Sequence, residues 1–240
     1  MTVTSTRLPT RTSSPDVYLP QEDTALLIET MRASGRARGS RVVDLCTGSG
    51  AVAIAAARLG ADTVHAVDLS AAAVEYARAA AVAAGQHVSL TCGDLSALTG
   101  TFDLVTCNPP YVPTPASRNS ALHPGGPTHA WDAGADGRAV LDVVCAHAPA
   151  LLAPGGSLLL VHSEFSDATA TLGSLTAGGL CAEVVAERTI PFGPVMSARA
   201  GWFEGRGMLE RGRRIETLVA IAARAPESAA DADIRVPAGR

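Results

Sequence analysis

The chain has 240 residues, 47% of them apolar and 18% charged, with a formal net charge of −4. A chain of this length suits one domain that buries about 70% of the surface its unfolded form exposes, and the acidic balance excludes a globally basic surface for coating nucleic acid. Apolar residues come in short runs broken by Gly, Asp, Arg and Pro, none close to the roughly 18 needed to cross a bilayer.

The opening stretch MTVTSTRLPTRTSSPD has two arginines and no apolar core behind it, so it does not read as a signal peptide and a cytoplasmic location without membrane contact is expected. Residues 1–15 read as a flexible N-terminus and 225–240 as a flexible polar tail, leaving 16–224 as the domain. The next stretch, DTALLIETMR (23–32), has helical spacing with Asp23 or Thr24 available as the cap. After it, RVVDLC (41–46) reads as a first strand, GAVAIAAARLG (50–60) as a small-residue helix, TVHAVD (63–68) as a second strand and SAAAVEYARAAAVAAG (70–85) as a helix capped by Ser70. HVSLTC (87–92) and FDLVTC (102–107) follow as strands, and a long loop fills 108–136.

A helix at 137–152 leads through APGG to a strand at 157–162. Beyond it come a helix near 166–177, a strand near 180–189, an irregular Pro/Gly segment at 191–214 and a last strand, IETLVAIAAR (215–224). Strands alternating with helices predict an α/β fold with a doubly wound, mostly parallel seven-stranded sheet, and ligands in such a sheet sit beyond the carboxyl ends of the strands. Five cysteines lie scattered without C-x-x-C spacing, which points to free, buried thiols rather than a zinc knuckle or a disulfide framework. Every basic side chain is arginine, and five arginines against two glutamates at 199–214 predict a local positive patch. The six histidines are dispersed, and His123 with His129 in one loop is weak ground for a metal, so no metal is expected.

Polar residues gather where the predicted strands end. VVDLCTGSGAVA joins a strand to a helix through Gly48 and Gly50 and, with Ala53, fits the G-x-G-x-x-A form of the dinucleotide fingerprint, a weak signal by itself. Asp68 ends the second strand, where it can accept hydrogen bonds from ribose hydroxyls of either NAD or S-adenosylmethionine. Asp44, just before the glycine loop, separates those two ligands: its carboxylate repels a pyrophosphate and suits the cationic methionine end of S-adenosylmethionine. Asp94, at the end of the third strand, can meet an adenine amino group while Leu95 packs on the ring.

After the fourth strand comes TCNPPYVP. Asn108 and Pro109 each precede a proline and are held extended. Pro109 and Pro110 lack N–H donors, so the segment is rich in acceptors: the Asn108 side-chain oxygen and the carbonyls of 108 and 109. Such an array suits an NH2 group, whose conjugated lone pair must be aimed before it can react, and Tyr111 can stack on a planar target. A methyl carried by a sulfonium needs no strong base first, which fits the lack of a Ser/His/Asp set; positioning is then the main catalytic term.

Taken in order, the glycine loop, three strand-end acids and Asn108-Pro109-Pro110-Tyr111 resemble a class I S-adenosylmethionine-dependent methyltransferase of the HemK type, the release-factor glutamine methyltransferases. The resemblance covers roughly 16–190 and the last strand, and is strongest to the branch without the N-terminal helical domain, through DVYLPQEDTALLIE (16–29) and WDAGADGRAVLD (131–142). It implies a Rossmann-like fold, S-adenosyl-L-methionine as cofactor, and a cofactor site lined by Thr24, Asp44, Cys46, Gly48, Gly50, Asp68, Leu69, Asp94, Leu95 and Asn108. Asn108, Pro109, Pro110 and Tyr111 would carry catalysis. The implied partner is a protein bearing a glutamine loop, as in release factors, with a small zinc-binding activator protein as for some relatives. Cys46 departs from the pattern, standing where the family usually has glycine. Two other readings stay open: an adenine amino group or small amine as acceptor, which the net charge weighs against for nucleic acid, and an NAD-dependent oxidoreductase, which leaves Asp44 and Asn-Pro-Pro-Tyr unexplained. A module that only senses the cofactor is separated from an enzyme by turnover.

Overall fold

The computed structural model describes residues 17–116, 122 and 127–227. The expected flexible N-terminus, most of the expected C-terminal tail and His123 lie outside these residues. Seven strands form one sheet in the order β3-β2-β1-β4-β5-β7-β6. The strands are β1 Arg41–Leu45, β2 Thr63–Asp68, β3 Ser89–Cys92, β4 Phe102–Cys107, β5 Leu152–Ser163, β6 Cys181–Pro191 and β7 Ile215–Arg224. The first five pair in parallel, and β7 runs antiparallel between β5 and β6. The expected doubly wound, mostly parallel sheet is what forms. Its order reverses between β1 and β4, so the carboxyl ends of those strands open the crevice where such folds take ligands.

The helices are α1 Glu22–Ser34, α2 Ala51–Arg58, α3 Ala71–Ala83, α4 Ala139–Leu151, α5 Ala168–Ala177 and α6 Pro194–Gly205. Side chains alternate across each strand, so Val43, Leu45, Val105 and Leu158 join Leu141, Val144 and Leu175 of α4 and α5 in one core. Val42, Val64, Leu104 and Leu159 meet Leu27, Met31, Val52 and Ala56 of α1 and α2 in another. Two covered faces explain why the strands read as continuous apolar runs rather than alternating ones. A third core sits apart, where Val112 and Trp131 pack with Met196, Ala200, Phe203 and Leu209.

That third core corrects the irregular reading of 191–214, which contains the 12-residue helix α6. Gly193 precedes it and Pro194 occupies its first turn, the asymmetry that suits a helix start. Met196, Arg199, Ala200 and Phe203 are its buried stripe, spaced i, i+3, i+4, i+7, but one place in the stripe belongs to an arginine. The predicted positive patch is reduced by one member for the same reason, while Arg206, Arg211 and Arg214 stay exposed. Arg199 is fully buried, donating to Asp132 Oδ1 at 2.5 Å and to the carbonyls of Pro113 and Leu122 at 3.1 Å each. Arg213 pairs with Glu164, Arg214 with Glu204, and Arg206 lies over the Trp202 ring.

Smaller corrections follow from local geometry. Helix α1 begins at Glu22 after Gln21, and neither Asp23 nor Thr24 caps it; both are buried in its first turn. β5 starts at Leu152 and runs through Gly155 and Gly156, where a Cβ on Gly156 would meet the carbonyls of Ala153 and Phe102 below 3.0 Å. Ala225 and Pro226, expected in the tail, stay paired to that bend: Ala225 N–H donates to Gly156 and Gly155 N–H to Pro226, both at 2.9 Å. All five cysteines are free, but only Cys107 and Cys145 are buried; Cys92 and Cys181 sit exposed on the sheet's two edge strands.

Candidate active site

A cavity of about 160 Å³ opens at the carboxyl ends of β1, β2 and β4. Most residues singled out from the sequence line it: Thr24, Asp44, Cys46, Gly48, Asp68 and Leu69 on the glycine-loop side, with Leu95, Asn108 and Pro110 beyond. Asp94, Gly50, Pro109 and Tyr111 do not. Asp94 is exposed and caps the short 3-10 turn Leu95–Ala97, accepting Ser96 N–H at 2.8 Å, a bond that holds its carboxyl below the usual range. Gly50 has φ +78°, and a Cβ there would meet Ala77 Cβ of α3 at 2.8 Å, so it is glycine for the sake of the α2–α3 contact.

The glycine loop is held by the two acids that flank it. Asp68 receives Gly48 N–H at 2.8 Å on one oxygen and Ser70 N–H at 2.9 Å on the other, which ties the loop to the start of α3. Each oxygen keeps a further lone pair for an incoming hydroxyl. Asp44 is 1% exposed and accepts the hydroxyls of Thr47 at 2.6 Å and Thr106 at 2.7 Å. Burial pushes its carboxyl up to about 6, against the hydrogen bonds from Thr47, Thr106 and the Ala53 N–H, with the like charge of Asp68 adding to the rise. Cys46 adopts φ +55°, a left-handed conformation that glycine would take without strain. Among the described residues lining the cavity no lysine or arginine appears, so its fixed charges are two carboxylates.

On the acceptor side, the Asn108 Nδ2 group donates to Thr24 Oγ1 at 3.3 Å, which leaves its Oδ1 without a partner among the described residues. Among the described residues no donor reaches the carbonyls of Asn108 or Pro109 either. The open acceptor array expected from two prolines is therefore present. Tyr111 departs from its expected place: the hydroxyl donates to buried Asp23 at 3.1 Å, and the ring packs among all three cores. Burial, with Asp23 beside it, raises its phenol well above the usual range. His129 and Ala130 of the loop after β4 close one side of the cavity.

The methyltransferase small domain family matches residues 20–123. A release factor glutamine methyltransferase from Mycolicibacterium smegmatis is 36% identical over 183 residues, 73% of this chain and 64% of that protein. A putative protein N5-glutamine methyltransferase from Methanocaldococcus jannaschii is 31% identical over 189 residues, and the match covers 78% of this chain and 92% of that one. The chain belongs to the protein glutamine methyltransferase family. The Mtq2–Trm112 complex of E. cuniculi, described as methylating the translation termination factor eRF1, shares the fold with a TM-score of 0.60 at 24% identity, covering 88% of this chain and 99% of that one.

S-adenosyl-L-methionine is the methyl donor of this glutamine methyltransferase family. The residues present fit it. A cavity with two carboxylates and no arginine suits a cation and opposes a pyrophosphate. Leu69 is 70% exposed at its rim, an apolar surface ready to cover an adenine ring. Four polar residues at the site were not singled out as binding residues from the sequence. Thr106 stands opposite Asp44 in the β1–β4 register, so strand alignment would have found it, and Thr47 lies three residues from Asp44. Tyr18 and Asp23 gave no such signal, because Asp23 meets Tyr111 across 88 positions.

Proposed function

We propose that this chain methylates the side-chain amide of a glutamine in a protein loop of the release-factor type, using S-adenosyl-L-methionine. The observation that carries this reading is the set of unpartnered acceptors at the mouth of the donor cavity, the Asn108 Oδ1 and the carbonyls of Asn108 and Pro109. A primary amide presents two N–H donors in one plane, and its lone pair is delocalised into the carbonyl. Asn108 Oδ1 and the Pro109 carbonyl would accept those two N–H groups and turn the nitrogen toward the donor. When bound, S-adenosyl-L-methionine supplies a methyl already activated by positive charge.

Asp68 would take the ribose hydroxyls on its remaining lone pairs, and Asp44 would face the cationic methionine end. Leu69 and Leu95 would enclose the adenine. Thr24, Cys46 and Gly48 would line the remaining wall, and Pro110 would form an apolar floor beneath the target. Aligning the two reactants in this way accounts for a large part of the barrier, as much as about 7–11 kcal/mol in well-oriented systems. The proton leaves the product nitrogen to water.

The chain spans just under two thirds of the mycobacterial relative, 64%. A protein substrate and a small activator subunit fit the Mtq2–Trm112 pairing of the structural neighbour, and we extend to this chain a zinc-binding activator of that kind. Among the described residues no helix is long and apolar enough to cross a membrane, and a substrate in the translation machinery would fit a reaction in the cytoplasm. Labelled methyl donor offered with a release factor bearing a Gly-Gly-Gln loop tests the reading. Transfer lost on replacing that glutamine with alanine supports it; equal transfer to the alanine form, or preference for an adenine-containing oligonucleotide, overturns it.

A further inference from the structure

Asp23 occupies an unusual place for a carboxylate. It is 4% exposed, and among the described residues no arginine pairs with it. Four donors converge on it instead: the hydroxyls of Tyr18 and Tyr111 reach Oδ2 at 3.1 Å each, and the Thr24 N–H and hydroxyl reach Oδ1 at 2.6 and 3.2 Å. Two carboxylate oxygens offer about four lone-pair positions, and these four donors occupy them. Its charge is offset by those hydrogen bonds and by its position in the first turn of α1.

This arrangement settles the direction of every proton between Asp23 and the acceptor site. A carboxylate only accepts, so Thr24 must spend its one hydroxyl proton on Asp23. The Thr24 oxygen is then an acceptor toward Asn108, and Asn108 must present its NH2 to it, as the 3.3 Å contact shows. The amide oxygen is thereby turned the other way. An Asn108 amide free to rotate would spend part of its time showing NH2 to the target, a donor facing donors.

We propose that Asp23 is a positioning residue: through Thr24 it locks the Asn108 side-chain amide with its oxygen toward the methyl acceptor, and so sets the site to receive an N–H donor. The inference rests on the glutamine-methylating reading for its consequence, though the lock itself can be read without any substrate. Tyr18 and Tyr111 saturate the second carboxylate oxygen, which gives the tyrosine of Asn-Pro-Pro-Tyr a structural duty beside any contact with the target.

Two readouts test it. The side-chain NH2 resonances of Asn108, identified by their loss in Asn108→Ala, should move in Thr24→Val and in Asp23→Asn and return to their wild-type positions in Thr24→Ser. Turnover should fall at least about tenfold in Thr24→Val, well beyond whatever donor affinity is lost because Thr24 also lines the donor cavity, and Thr24→Ser should restore it. Thr24→Val keeps Asp23 in place and serves where Asp23→Asn does not fold. Resonances unchanged in Thr24→Val, or loss of donor affinity in proportion to turnover, overturn the proposal. A wild-type protein that leaves the glutamine loop unmethylated would defeat the functional reading alone, because the resonances still report the lock.

Discussion

Asp68 and Gly48, twenty positions apart, are joined by a 2.8 Å hydrogen bond from the glycine N–H to the carboxylate. One acid thus holds the glycine loop and, on the proposed reading, would offer its remaining lone pairs to the donor. Asp68→Ala should weaken donor binding by about 1.5–3 kcal/mol, the scale of a hydrogen bond to a charged group. Asp68→Asn, which keeps one acceptor oxygen, should fall between that variant and wild type. Calorimetry with S-adenosyl-L-methionine measures both, and an unchanged dissociation constant in Asp68→Ala removes this residue from the site.

Asp44 couples stability to function with opposite signs. Its carboxyl titrates at about 6 in the folded protein against 3.8 ordinarily, so between those values the native state binds more protons than the unfolded state. Stability therefore falls as pH rises from about 4 to 6, by on the order of 2–3 kcal/mol, and the loss persists above that range. Asp44→Asn should be more stable than wild type to urea at pH 7.5, with the difference fading by pH 4. Donor affinity should behave in reverse: a cation is held by the charged form, so wild-type binding should weaken as pH drops through about 6, and Asp44→Asn should bind weakly with no such dependence. A variant that keeps the wild-type pH profile would mean another group titrates there.

Asn108→Ala removes the side-chain acceptor from the array. Turnover should fall roughly a hundredfold to a thousandfold, the effect of deleting one preorganised catalytic hydrogen-bonding group, while the circular dichroism spectrum stays that of the wild type. Because Asn108 also lines the donor cavity, its dissociation constant is measured beside the rate. Full activity in this variant would reduce Asn-Pro-Pro-Tyr to a turn.

Arg199 offers a stability test. Replacing it with Met leaves Asp132 without that partner and frees the carbonyls of Pro113 and Leu122, and losing one member of a buried pair costs about 3–5 kcal/mol. Arg199→Met should lower the melting temperature by many degrees, whereas Arg211→Ala, on the surface, should change stability by less than about 0.5 kcal/mol. Equal effects would show that Arg199 is not the anchor of α6.

Most of the sheet could be read from the chain because its signals are local. Asp44, Asp68 and Asn108 were visible as polar residues ending apolar runs, and two prolines announced the acceptor array whatever the rest of the fold. Where the reading failed, the deciding partner was remote. Arg199 looked like surface charge until Asp132, 67 positions away, supplied its counterion, and with it went helix α6. Tyr111 looked like a stacking platform because nothing nearby told of Asp23. Asp94 sits at a strand end as expected, but its carboxylate turns to its own Ser96 amide, a two-residue bond that local sequence seldom distinguishes from a ligand contact.

The third core, built by Val112 and Trp131 with one face of α6, stands on none of the strands that carry the donor acids. On the proposed reading the two halves of the reaction would rest on different parts of the fold: the parallel sheet carries the acids set for a cofactor, while a small aromatic cluster backs the loop after β4. Replacements on α6 such as Met196→Leu would therefore be felt by that loop before they are felt by Asp44 or Asp68.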